Sequence, residues 1–162
     1  MRKLLLLAMF VPVMCWGAPA SHCTAEEKVY FSCVTKSQER VLSVCGSSVL
    51  TATDSYLQYR FGPVGKPELQ FPSDRKGSIQ QFRFYHYFRA SVDRSGLTFQ
   101  SGDYAYEVYD DYEGDIQPPE KTSGVVVSKV GTDTETGISC KGEITNHLND
   151  LKDVVAEEKP DL

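Results

Sequence analysis

The sequence predicts a mainly β protein, an antiparallel β-barrel or sandwich of about eight to nine short strands with a C-terminal α-helix and two disulfides. Three observations predict it. Short β-branched and aromatic runs recur along the chain, separated by Gly, Pro and polar turn residues. Four cysteines, Cys23, Cys33, Cys45 and Cys140, follow an export-type leader, and an even count in an exported domain reads as two bridges. One stretch near the end carries helical periodicity instead of strand alternation.

The leader comes first. Arg2 and Lys3 precede the apolar run Leu4 to Val13, and Ala18-Pro19-Ala20 supplies small residues for signal peptidase. The run is shorter than the roughly 20 apolar residues of a membrane helix. Neither Cys15 nor Cys23 follows the small-residue box of a lipidated cysteine. Residues 1–20 therefore read as a signal peptide and residues 21–162 as a single β-rich domain, periplasmic or secreted, with no membrane insertion after cleavage.

The strands follow in order. "KVYFSCV" and "RVLSVCG" flank the polar "TKSQE" and read as a hairpin. "YLQYRF" stops at Gly62-Pro63, and "PELQF" stops at Pro72. In "IQQFRFYHYFRA", Phe82, Phe84, His86 and Phe88 share one face, which reads as core. Arg83, Tyr85, Tyr87 and Arg89 share the other. "GLTFQ", "YAYEVY", "GVVVSKV" and "GISCK" complete the set, with surface loops at 72–78 and 110–123. In residues 143–157, Ile144, Leu148, Leu151 and Val155 recur at steps of four, three and four, which predicts an amphipathic helix packed on the sheet or plugging a barrel end. Four cysteines allow three pairings. A Cys33–Cys140 bridge would close the long loop and could stabilise the fold by roughly 4–5 kcal/mol.

Charge and motif content narrow the function. The chain carries 17 basic and 22 acidic side chains. Loss of Arg2 and Lys3 leaves 15 − 22 = −7, which disfavours nucleic acid and anionic membranes and favours a basic partner. No GxSxG, HExxH, Walker or GxGxxG motif occurs. The histidines His22, His86 and His147 are scattered, and disulfides consume the thiols, so the chain reads as a non-enzyme with no cofactor and no metal. In "YDDYEGD", Asp111, Glu113 and Asp115 match the start of a calcium loop, but Ile116 and Thr122 occupy the positions that require Gly and Glu, leaving a solvated acidic turn.

Two groups remain as candidate contacts. Arg83, Tyr85, Tyr87 and Arg89 form a possible ligand face for a small molecule or glycan. The other group is Ser101-Gly102-Asp103-Tyr104, between "LTFQ" and "YAYEVY", which reads either as only the turn of a hairpin or as a tip aimed at a partner, with Gly102 allowing the tight turn. This stretch resembles the exposed SGxY loop of the periplasmic lysozyme inhibitors, which are exported, disulfide-closed antiparallel β proteins. The resemblance implies a partner-binding role for Ser101, Gly102 and Tyr104, with the two hydroxyls bonding the paired carboxyl groups of a glycosidase cleft, and a basic cell-wall hydrolase as partner. The family's second contact is a Lys-Gly on a neighbouring loop; Lys121, in "KTSG", and Lys141, in "CKG", do not follow its expected pattern. Over most of the region after the leader, "VYFSC…RVLSVC…SYLQYRFG…PELQFP…LTFQSGDYAYEVYD…GVVVS…ISCKG" resembles small exported proteins of Gram-negative bacteria of unassigned function. That likeness implies export and the β fold and carries over no site residues.

Overall fold

Ten strands form one curled sheet, a half-barrel, in the order β10-β5-β6-β7-β8-β9-β1-β2-β3-β4. The computed structural model describes residues 20–37, 39–51 and 53–158. The predicted leader, apart from Ala20, lies outside the described residues. The strands are β1 (Lys28–Thr35), β2 (Val41–Gly46), β3 (Leu57–Gly62), β4 (Leu69–Phe71), β5 (Arg83–Arg89), β6 (Val92–Ser101), β7 (Tyr104–Glu113), β8 (Glu120–Lys129), β9 (Glu135–Asn146) and β10 (Ala156–Glu157). The chain makes two meanders, β1–β4 and β5–β9, and the antiparallel pairing of β1 with β9 joins them.

The alternation of each strand decides which side chains meet. On the core face, Phe31, Val44 and Tyr59 lie in register across β1–β3, and Phe84, Leu97, Val108 and Val125 lie in register across β5–β8. All seven are buried. The sheet curls because aromatic rings bridge its two halves. Phe71 on β4 stacks on Phe99 of β6 at 4.6 Å, and Phe99 stacks on Tyr106 of β7 at 4.8 Å. Phe82 meets both phenylalanines edge-on. Such pairs add about 0.5–1.5 kcal/mol each beyond their buried area.

The disulfides are Cys23–Cys45 and Cys33–Cys140. The second crosses the β1–β9 join and ties the meanders covalently. The first bolts residues 20–27 across the back face of β1–β3, where Ser32, Ser43 and Arg60 share a row of register and are buried. That segment satisfies their polar groups. The Ala20 carbonyl accepts from Ser32, the His22 N–H donates to Ser43, and the His22 carbonyl accepts from Arg60. Glu27 takes both guanidinium nitrogens of Arg60, at 2.7 and 2.8 Å, and also accepts from Tyr56 and Arg75. Burial alone would raise the Glu27 pKa, but the hydrogen bonds from Arg60, the Thr24 backbone and Tyr56 win and lower it to about 2.

Three expectations need correction. The C-terminal helix is absent among the described residues. Strand β9 runs on to Asn146, a 3-10 turn spans Leu148–Leu151, and β10 then pairs parallel with β5. The β-branched Thr145 pairs with Ser32, and the Asn146 side chain accepts from the Leu148 N–H, which turns the chain out of the sheet. Leu148, Leu151 and Val155 are buried as the periodicity required, but on a turn that packs against β1 and β6. Among the described residues the strands number ten, because β10, inside the stretch expected to be helical, pairs as well. Phe88, expected in the core with Phe82 and Phe84, is 70% exposed near the end of β5. In addition, 78–81 is a 3-10 turn instead of the start of β5, and β7 and β8 extend to Glu113 and from Glu120, shortening the loop expected at 110–123.

Two outcomes follow for stability. Denaturant unfolding should show a larger loss for the Cys33→Ala, Cys140→Ala pair, about 4–5 kcal/mol, than for Cys23→Ala, Cys45→Ala, about 3 kcal/mol, because the first closes the longer loop; the reverse order would contradict the role given to the β1–β9 bolt. Glu27→Gln should cost about 3–5 kcal/mol by leaving Arg60 buried and unpaired. Glu27 has a folded pKa of about 2 against about 4.3 unfolded. Its stabilisation is therefore complete above the unfolded value and disappears as pH falls towards 2, so the variant should lose that part of the acid limb of a stability–pH curve.

Candidate functional site: a hairpin tip, the back face beside it and a groove

Ser101 closes β6 and Tyr104 opens β7, and the two stand opposite each other in register. Gly102 and Asp103 make the two-residue loop between them. Gly102 has φ +59°, and a Cβ there would meet nothing within 4 Å, so glycine serves the backbone conformation and leaves the tip open. The tip is braced. Gln100 donates its amide to the Gly102 carbonyl, and Val130 of the β8–β9 hairpin donates its N–H to the Asp103 carbonyl at 2.9 Å. Tyr104 is 45% exposed, and among the described residues neither its hydroxyl nor that of Ser101 has a hydrogen-bond partner. Lys129 lies opposite Tyr104 on β8 and sets a cation beside the tip. Sequence reasoning missed Lys129 and Val130 because the register across β7 and β8 brings them to the tip, not proximity along the chain.

The four residues of the expected ligand face do not act alike. Tyr85, Gly96, Tyr109 and Gly124 form one row across β5–β8 on the back face. The Tyr85 ring lies over Gly96, where any Cβ would come within 2.3 Å of it. Its hydroxyl donates to Glu107 in a short hydrogen bond, and burial drives its pKa upward. Tyr85 is thus a packing residue and offers little to a ligand. Arg83 is exposed, with one guanidinium nitrogen held by the Gln80 and Phe82 carbonyls. Arg89 pairs with Asp115 at 2.9 Å, and Tyr87 is half-buried opposite Arg94.

Near Tyr87, Asp111 sits in register with Arg94. One of its carboxylate oxygens is buried without a partner. Burial raises its pKa to about 6; Arg94 opposes the rise, and Glu107, Asp110 and Asp93 add to it. Elsewhere, the cysteine sulfurs 23 and 45 and a Glu27 oxygen lie within 4.8 Å of one another, but the sulfurs bond each other and the carboxylate bonds Arg60.

A groove of about 580 Å³ opens beside the stems of the 101–104 hairpin. Gln80, Gln81 and Gln100, together with Arg83, Phe71 and Tyr106, are part of its lining. It forms where β5 begins at Arg83, opposite Thr98, while β6 runs on past that point to Ser101.

No protein-family model matches this chain, and no curated protein or solved structure shows significant similarity to it.

The Asp111 environment has a measurable consequence. Its folded pKa of about 6 exceeds the unfolded value of about 3.9. The folded state therefore binds the extra proton between these values, and stability falls as pH rises through them. Asp111→Asn should stabilise by about 1 kcal/mol at pH 7.5, after allowance for partial solvent exposure, and by almost nothing at pH 4. Melting temperatures at the two pH values check this, and an equal shift at both would exclude the ionisation argument.

Proposed function

We propose that this chain is an exported, non-enzymatic binding protein whose Ser101–Tyr104 tip engages a basic cell-wall hydrolase, as an inhibitor or immunity-type protein against a glycosidase such as lysozyme. The observation that carries the reading is the pair of hydroxyls, without a hydrogen-bond partner among the described residues, on a braced, exposed two-residue hairpin. A glycosidase cleft presents two carboxyl groups. Hydroxyls on a stiff tip can bond them as sugar hydroxyls would, and a preformed tip loses little entropy on binding. The net charge of −7 after removal of the leader's two cations favours encounter with a basic enzyme.

The compartment belongs to the same reading. Two disulfides fit an oxidising space outside the cytoplasm. No helix among the described residues is long and apolar enough to cross a membrane. Together with the leader-like first twenty residues, these features support a periplasmic or secreted protein.

The test is an inhibition assay against a panel of basic lysozymes. Micromolar protein should inhibit at least one. Ser101→Ala with Tyr104→Ala should weaken inhibition by about a hundredfold, while changing unfolding free energy by no more than about 0.5 kcal/mol. A panel without inhibition at micromolar concentration, or a double variant that inhibits unchanged, would overturn the proposal.

A further inference from the structure

We propose that the groove beside the hairpin stems is a second site, which binds a short neutral oligosaccharide independently of the tip. The inference goes beyond the inhibitor reading and does not rest on it. Its size is within the roughly 300–1,000 Å³ of small-ligand sites. Its chemistry selects the ligand class. Among the described residues, the side-chain amides of Gln80 and Gln81 have no hydrogen-bond partner, and Gln100 spends one donor on Gly102. An amide both donates and accepts, which matches a hydroxyl, a group that does the same.

The charged groups of the groove point the same way. It holds Arg83 against Glu107 and Glu158. Both carboxylates already accept internal hydrogen bonds, from Tyr85 and Thr98, and Arg83 is anchored on two carbonyls. An anion would face two carboxylates, and a compact cation would face the guanidinium. A neutral polyhydroxylated ligand meets neither penalty. Half-buried Phe71, at one end of the ring stack and in the groove's lining with Gln80 and Gln81, supplies apolar surface for the C–H face of a sugar ring. The groove is also built of fixed parts. Phe71 and Tyr106 are clamped on Phe99, and Gln80 and Gln81 sit on the 3-10 turn whose Ser78 hydroxyl accepts from the Leu57 N–H.

Amide NMR of the folded protein tests this with four probes: tri-N-acetylchitotriose, maltotriose, inorganic phosphate and spermidine, each titrated to about 20 mM, a range that captures millimolar affinity. At least one trisaccharide should give saturable shifts confined to residues 80–83, 98–100 and 105–107, and the two charged probes should not. Which trisaccharide binds separates acetamido sugars from plain glucans. Gln81→Ala and Gln100→Ala should each weaken binding about fivefold, the value of one lost hydrogen bond. Ser101→Ala with Tyr104→Ala should leave the constant within about twofold, so failure of the inhibitor reading would not touch this one. No saccharide shift, shifts centred elsewhere, or saturable phosphate or spermidine binding in the groove would overturn it. The wild-type shift map decides the location even if a glutamine variant folds poorly.

Discussion

Every other feature of this fold depends on one strand pairing. The chain lays down two meanders that have no neighbours in common until β1 and β9 meet. The contact is between residues more than a hundred positions apart along the chain, so its loop-closure entropy is the largest of any strand pairing among the described residues. The Cys33–Cys140 bridge crosses that same seam and removes much of the entropy from the unfolded chain. With the seam made, the aromatic rings of β4, β6 and β7 face one another and the sheet can curl. The turn at Leu148–Leu151 can then pack its leucines against β1 and β6.

The two disulfides act on opposite faces of the sheet. Cys33 shares the core face with Leu42 and Phe61, whereas Cys45 shares the back face with Gln58, beside the row of Ser32, Ser43 and Arg60. The back face of β1–β3 is polar yet buried, which is stable only because residues 20–27 bring matching groups to it. The back face of β5–β8 is handled differently. There Tyr85 covers a glycine, and Glu107, Asp111 and Glu113 of β7 are left half-exposed. The exposed hairpin tip lies beyond both arrangements and carries none of the core. It is free to serve recognition for that reason.

Much of the architecture was legible in the residues. Strand alternation in "RFYHYF" separated Phe84 from Tyr85, and the even cysteine count pointed to two bridges. The turn at Ser101–Tyr104 was visible because Gly tolerates the positive φ that a two-residue hairpin needs. The C-terminal helix was misjudged for a specific reason. Spacing of Ile144, Leu148, Leu151 and Val155 reports which side chains are buried, and a 3-10 turn between two strands buries the same set. Phe88 was misplaced because alternation predicts a face but not where along the strand the core stops. The groove could not be read at all. It exists because β6 outruns β5, and register of that kind is written in the pairing of distant strands.

The central claim is that two specific bridges, one through the β1–β9 seam and one through the segment over the back face, hold this shell. Peptide mapping of the native protein by mass spectrometry without reduction tests it most directly. The account predicts two linked species, Cys23 with Cys45 and Cys33 with Cys140, and no free thiol among the four. Any other pairing, or four reduced sulfurs in the folded protein, would contradict it.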